Sequence, residues 1–178
     1  MHKNIQTIYQ ETIAFAALKH GNQKMPTGLP YVVHLSNVAM EVFMTHKKEP
    51  NFNIELAIQL ALLHDVLEDT PLSFKELEDT FGNIVATGVL ALTKNASLDK
   101  KDQMQDSLAR IVKQGKEVAI VKLCDRITNL QKPPLKWDND KIKKYHLQAT
   151  QIAETLQGKN SYLDNKIQEK IKAYTAFV

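Results

Sequence analysis

The segment from Asn51 to Pro71 constrains this chain more than any other, because its most apolar run ends in three carboxylates and a histidine and contains no Lys or Arg. Leu60 to Thr70 reads LALLHDVLEDT. The spacing predicts one helix over Ile54 to Glu68, with Pro71 fixing its stop. Asp65, Glu68 and Asp69 then crowd the helix C-terminus, where the macrodipole favours cations and each misplaced charge costs ~0.3–1 kcal/mol. Positive charge from outside the segment is called for, and a divalent metal ion is the simplest source. At about 100° per residue His64 and Asp65 diverge, yet both can reach an ion over the helix edge between them. Glu68 follows His64 by one turn and Asp69 stands in the same relation to Asp65, so a second acidic pair sits beside the first, able to act on water held by the ion. The alternative is a helix end with solvated acids and a His satisfied in the core.

The remainder of the chain reads as helices. From Ile5 to His20 apolar residues recur at three and four, with His20 on the buried face and Gly21 as the stop. Met25 to Pro30, MPTGLP, is a loop, and Tyr31 to His46 returns to helical period with His34 near its start. Ser73 and Glu76 form a capping box for a short helix closed by Gly82, and Asn83 is positioned to cap the next. Lys94 to Asp102 is charged and weakly apolar, the best place for a mobile loop or lid. Gln103 to Gln114, Lys116 to Gln131, Asp138 to Gln157 and Ser161 to Phe177 complete the set, interrupted by Gly115, Pro133–Pro134 and Gly158. With no strand alternation and no repeat, the expected fold is all-α, a single-domain multi-helix bundle spanning the whole chain of 178 residues.

Within KEVAIVKLCDRITNLQ, Asp125 is embedded among Val121, Cys124 and Thr128, and a buried acid needs a partner. Lys122 and Arg126 allow a structural ion pair. Asn129, one turn beyond Asp125, makes a polar stripe on an apolar helix that looks more like a site. The formal net charge of +3 does not argue for a nucleic-acid partner but suits a small anionic substrate. The lone Cys124 cannot form an internal disulfide, which fits a reduced cytoplasmic setting. No signal-like run and no apolar stretch of bilayer length is present, so a soluble protein with no membrane partner is expected. The oligomeric state is open.

His34, the doublet His64 and Asp65, and Asp125 in VKLCDRITNL together resemble the HD-domain metal-dependent phosphohydrolases. The flanks sharpen the likeness: H-x-x-Q at His20 and Gln23, G-x-P-Y-x-x-H from Gly28 to His34, HDVLEDT, and VKLCDRITNL are similar to the hydrolase domain of the RelA/SpoT-type alarmone hydrolases and the small alarmone hydrolases. The resemblance implies that His34, His64, Asp65 and Asp125 hold a metal, with Mn²⁺ the expected ion. It implies that Glu68 and Asp69 are the catalytic pair and that Asn129 lies against a nucleotide. The implied reaction removes the 3′-diphosphate of guanosine 3′,5′-bis(diphosphate), ppGpp. Lys24, Lys122 and Arg126 are candidates by position to neutralise its other phosphates, against a structural or solvated role. Two positions depart from the family: Met25 stands where an Arg stacks on guanine, with Lys24 next to it as a substitute, and Thr128 replaces a His. Two alternatives follow, an HD phosphohydrolase acting on another nucleotide or phosphate ester, and a non-catalytic nucleotide-binding domain.

Overall fold

The computed structural model describes residues 4–178, which form ten α-helices and a final 3₁₀ turn, with an isolated bridge between Lys24 and Pro30 as the only β-type pairing among the described residues. The first long helix, α1 (Ile5–His20), is capped by the Asn4 side chain and leads through the MPTGLP loop to α2 (Val32–Lys48). Next comes α3 (Ile54–Leu63), capped by Asn53, and the single turn α4 (Val66–Asp69). A pair of short helices, α5 (Phe74–Phe81) and α6 (Asn83–Leu92), precedes α7 (Gln103–Ile111) and α8 (Lys116–Asn129). The chain closes with α9 (Asn139–Thr155), capped by Asp138, and α10 (Ser161–Tyr174), capped by Asn160.

The most apolar helix is the hub. α3 packs against α1, α2, α6 and α8, and Leu60, Ala61, Leu62 and Leu63 have no exposed surface. α8 supplies the facing wall with Ile120, Val121, Leu123 and Cys124, all fully buried. Close approach explains Gly88 in α6: a Cβ there would meet Leu60 Cδ2 at 2.6 Å. Side chains on this hub have little freedom to shift, because cores are packed as densely as organic crystals.

The single helix expected over Ile54 to Glu68 is broken in two. α3 stops at Leu63, His64 and Asp65 form a turn, and Asp65 adopts φ −105°, ψ 0°. That is the sparsely populated bridge region, in which active-site residues are often found. The Asp65 carbonyl accepts from both Glu68 N and Asp69 N and so restarts the helix. In a continuous helix His64 and Asp65 would point about 100° apart. The turn lets Asp65 bring its carboxylate to the His64 ring, where the Tyr31 hydroxyl also donates to it. Tertiary bonds thus outweigh local helix preference. Glu68 and Asp69 consequently close one helical turn and do not face the dipole of a long helix.

A second expectation is corrected at residue 83. Asn83 is inside α6 and does not cap it; Gly82 flanks both α5 and α6 at φ 83°, a backbone that side-chain-bearing residues rarely adopt. The Ser73–Glu76 capping box forms as read. No helix among the described residues is long and apolar enough to cross a membrane.

Candidate active site

Three parts of the hub converge on one point. His34 enters from the first turn of α2, His64 and Asp65 from the break after α3, and Asp125 from the middle of α8. Both imidazoles are only 3% exposed. His64 Nδ1 faces the Ala61 carbonyl at 2.8 Å; that oxygen can only accept, so Nδ1 carries a proton and Nε2 is the ring nitrogen turned toward the cluster. His64 Nε2 lies 3.0 Å from Asp65 Oδ2, 3.2 Å from His34 Nε2 and 3.7 Å from Asp125 Oδ1. His34 Nε2 lies 3.4 Å from Asp125 Oδ1 and 3.8 Å from Asp65 Oδ2.

Donors bound about 2.1 Å from one divalent ion stand about 3.0–3.4 Å apart at octahedral or tetrahedral angles. The spacing here is that of donors around a shared cation, and His34, His64 and Asp125 could hold one, with Asp65 adjoining. Without a cation, lone pairs and carboxylates would face one another in a buried space. Protons take up that role in the metal-free protein: burial pulls the His64 imidazole down, but the charges of Asp65 and then Asp125 outweigh it and raise the group to about 9. Burial likewise opposes the charge of Asp65, yet its His64 neighbour holds it well below the usual carboxylate range. For Asp125 burial is again overcome, by the His34 contact and the Lys122 ammonium.

The cluster forms the innermost wall of a cavity of about 360 Å³, within the usual range for small-ligand sites. Glu68 and Asp69 stand at its rim, each held from a distant part of the chain. Glu68 accepts from Lys94 twice, at Oε2 from the backbone N–H (3.0 Å) and at Oε1 from Nζ (2.5 Å). Asp69 Oδ2 accepts from Gln23 Nε2 at 2.8 Å, and Gln23 Oε1 is in turn 2.7 Å from His20 Nδ1. The H-x-x-Q pair therefore acts as a brace for Asp69.

Lys122, Arg126 and Asn129 line the cavity from α8. Asn129 Nδ2 donates to Asp125 Oδ1 at 2.6 Å, and Lys122 Nζ lies 3.6 Å from Asp125 Oδ2. Arg126 is buried, its guanidinium 4.0 Å from the Tyr145 ring centroid, and its Nε and Nη1 have no hydrogen-bond partner. Lys24 is exposed and does not line the cavity, whereas Met25 does. Thr128 does not line the cavity and lies in a separate crevice with Glu41 and Lys166. Of the two departures from the family pattern, only Met25 alters the cavity wall.

Sequence reasoning missed Tyr31, Lys94, Tyr145 and Gln148. Tyr31 donates to Asp65, and burial followed by that carboxylate's charge pushes its phenol far above the ordinary value. Its place within G-x-P-Y-x-x-H was the available signal. Lys94 opens the charged segment expected to be a mobile loop or lid, and Tyr145 and Gln148 follow a basic run on α9; none carries a local mark of a fixed site residue.

Residues 12–158 match the model of the HD domain. Over 175 residues the chain is 34% identical to the Danio rerio protein named guanosine-3′,5′-bis(diphosphate) 3′-pyrophosphohydrolase MESH1, covering 95% of each chain. It is 32% identical over 168 residues to the Homo sapiens protein of the same name, covering 91% of this chain and 92% of that one. A solved structure described as a metazoan ortholog of SpoT that hydrolyzes ppGpp has a TM-score of 0.81 and 29% identity, covering 97% of both chains.

Proposed function

The chain belongs to the HD-domain family, and from that premise we propose that it is a metal-dependent pyrophosphohydrolase that cleaves the 3′-diphosphate from guanosine 3′,5′-bis(diphosphate). The observation that carries this reading is the junction of two features in one cavity: two buried imidazoles with the part-buried Asp125, close enough to share a cation, and Asp65 beside them, and two carboxylates fixed at its rim. The names of the relatives, which match along nearly their whole length, supply the substrate.

In this reading His34, His64, Asp65 and Asp125 bind the ion, and Mn²⁺ suits their mixed nitrogen and oxygen set. When bound, a divalent ion acts as a Lewis acid and makes water nucleophilic near neutral pH. Water attacks the phosphorus joined to the 3′ oxygen, the P–O3′ bond breaks, and pyrophosphate leaves as the 3′ oxygen takes up a proton to give GDP. Glu68, assisted by Asp69, moves those protons. A positioned acid or base contributes ~10²–10⁴ in rate. Lys122 and Arg126 on α8 attract the substrate's remaining phosphates, and Asn129 meets the nucleoside. Lys24, outside the cavity wall, would reach the substrate only by extending over the rim. The whole chain acts as one domain, α10 completing it by packing on α8 and α9. Its partner is a small nucleotide and not nucleic acid, and buried Cys124 suits a reducing cytoplasmic compartment.

Met25 in the cavity wall favours one competing reading, the same chemistry on another nucleotide phosphate. Metal-stripped protein titrated with Mn²⁺ should release pyrophosphate from ppGpp, and the Asp125→Ala variant should not. Equal or faster turnover of plain nucleotides would transfer the assignment to them.

A further inference from the structure

The best-fastened side chain at the rim is Glu68, and a single residue fastens it. Lys94 occupies both oxygens of that carboxylate, one with its backbone N–H and one with its ammonium. Its own place is set from two sides. Thr93 ends α6 by returning its N–H and its hydroxyl to the Val89 carbonyl. Arg110 of α7 reaches across to donate to the Thr93 carbonyl at 2.7 Å, and is itself paired with Asp106. Lys94 therefore leaves a fixed point, and its ammonium spans from that point to the rim. Each Glu68 oxygen keeps a second lone pair for water or substrate, since a carboxylate has about four acceptor sites.

We propose that Lys94 is a positioning residue for the reaction, acting through Glu68: its ammonium holds the carboxylate in the orientation that proton transfer requires. This rests on the reading of Glu68 as the proton-carrying group. Packing does not explain the contact, because the Lys94 side chain is 43% exposed and ion pairs so open to water contribute little to stability. The contact gives Glu68 orientation, and a displacement of 1 Å at a reacting group can cost ~10²-fold in rate. Asp69 is held by a neutral amide from Gln23 and has no such cation among the described residues.

The test compares wild type, Lys94→Met, Lys94→Arg, Glu68→Gln and the Lys94→Met/Glu68→Gln double variant, all Mn²⁺-loaded, on ppGpp and a panel of nucleotides. For Lys94→Met we expect kcat to fall ~10–100-fold with KM and Tm nearly unchanged. Lys94→Arg should recover most of the loss, and the double variant should be no slower than Glu68→Gln alone. A raised KM with unchanged kcat would make Lys94 a substrate contact and overturn the proposal. So would multiplicative losses in the double variant, a large fall in Tm, or a Lys94→Met enzyme equal to wild type. A wild type silent on ppGpp but active on another nucleotide would end the alarmone reading alone, and the same comparison on that nucleotide would then decide Lys94.

Discussion

The His–Asp cluster and the acid pair lie side by side yet are held in different ways. The cluster is buried and built from the most closely packed helices, with His34 and His64 3% exposed against a core of Leu35, Leu62, Leu63 and Ile120. The acid pair is exposed on a four-residue helix, and it is fixed by polar side chains reaching in from the loop after α1 and the segment after α6. Placement of the two imidazoles therefore depends largely on hydrophobic packing, which is collective and hard to adjust, with Tyr31 adding a hydrogen bond at Asp65. The geometry of Glu68 and Asp69 depends on a few hydrogen bonds, which single substitutions can retune.

The largest effects should come from the cluster itself. Asp125→Ala removes the carboxylate that faces both imidazoles and is expected to abolish both Mn²⁺ binding and turnover, as read by metal content and pyrophosphate release. Glu68→Gln should separate the two regions: turnover falls by ~10²–10⁴ while metal content stays at the wild-type level. Loss of metal in that variant would break the division drawn here. Tyr31→Phe probes the cluster's support without touching a ligand. Losing the hydrogen bond to Asp65 should weaken Mn²⁺ binding by ~10–100-fold, with kcat at saturating Mn²⁺ close to wild type.

The smallest effect concerns pH. In metal-free protein the His64 group stands at about 9, above its unfolded value of about 6.5. Its contribution to stability is fully present below pH 6.5 and is lost as pH rises through about 9. The Tm of chelator-treated protein should therefore decline over that interval. Mn²⁺ competes with the same proton, so the Tm gain on adding it should grow with pH. A gain that shrinks would contradict the assignment of His64 as a ligand.

The same division explains what could be read in advance. The ends of α1 and α5 were legible in Gly21, Ser73, Glu76 and Gly82, because capping is chemistry within a few residues. His64 and Asp65 stand out because ionisable groups at the end of an apolar helical pattern are costly and few, whereas His34 and Asp125 join them in the sequence only through the family resemblance. The break at Asp65 was not legible, since its cause lies 34 residues away in Tyr31. Nor were the partners of the acids, which act over separations of 26 residues for Lys94 and 46 for Gln23. In the sequence Lys94 is the first residue of the segment expected to be a mobile loop or lid. Positive charge from outside the central segment was nevertheless anticipated, and at Glu68 it comes from this lysine.

The convergence of α2, the turn after α3 and α8 also dictates when the cation site can exist during folding. Its donors are far apart along the chain, and closing such long loops costs entropy before any contact repays it. Individual helices can flicker into place early, but a nascent chain that has not yet emerged as far as α8 cannot assemble the cluster. In the function proposed above, ion capture follows condensation of the hub, because only a condensed hub brings the donors together. For such a chain, uptake of an ion by the cluster would report that α2, α3 and α8 have come together.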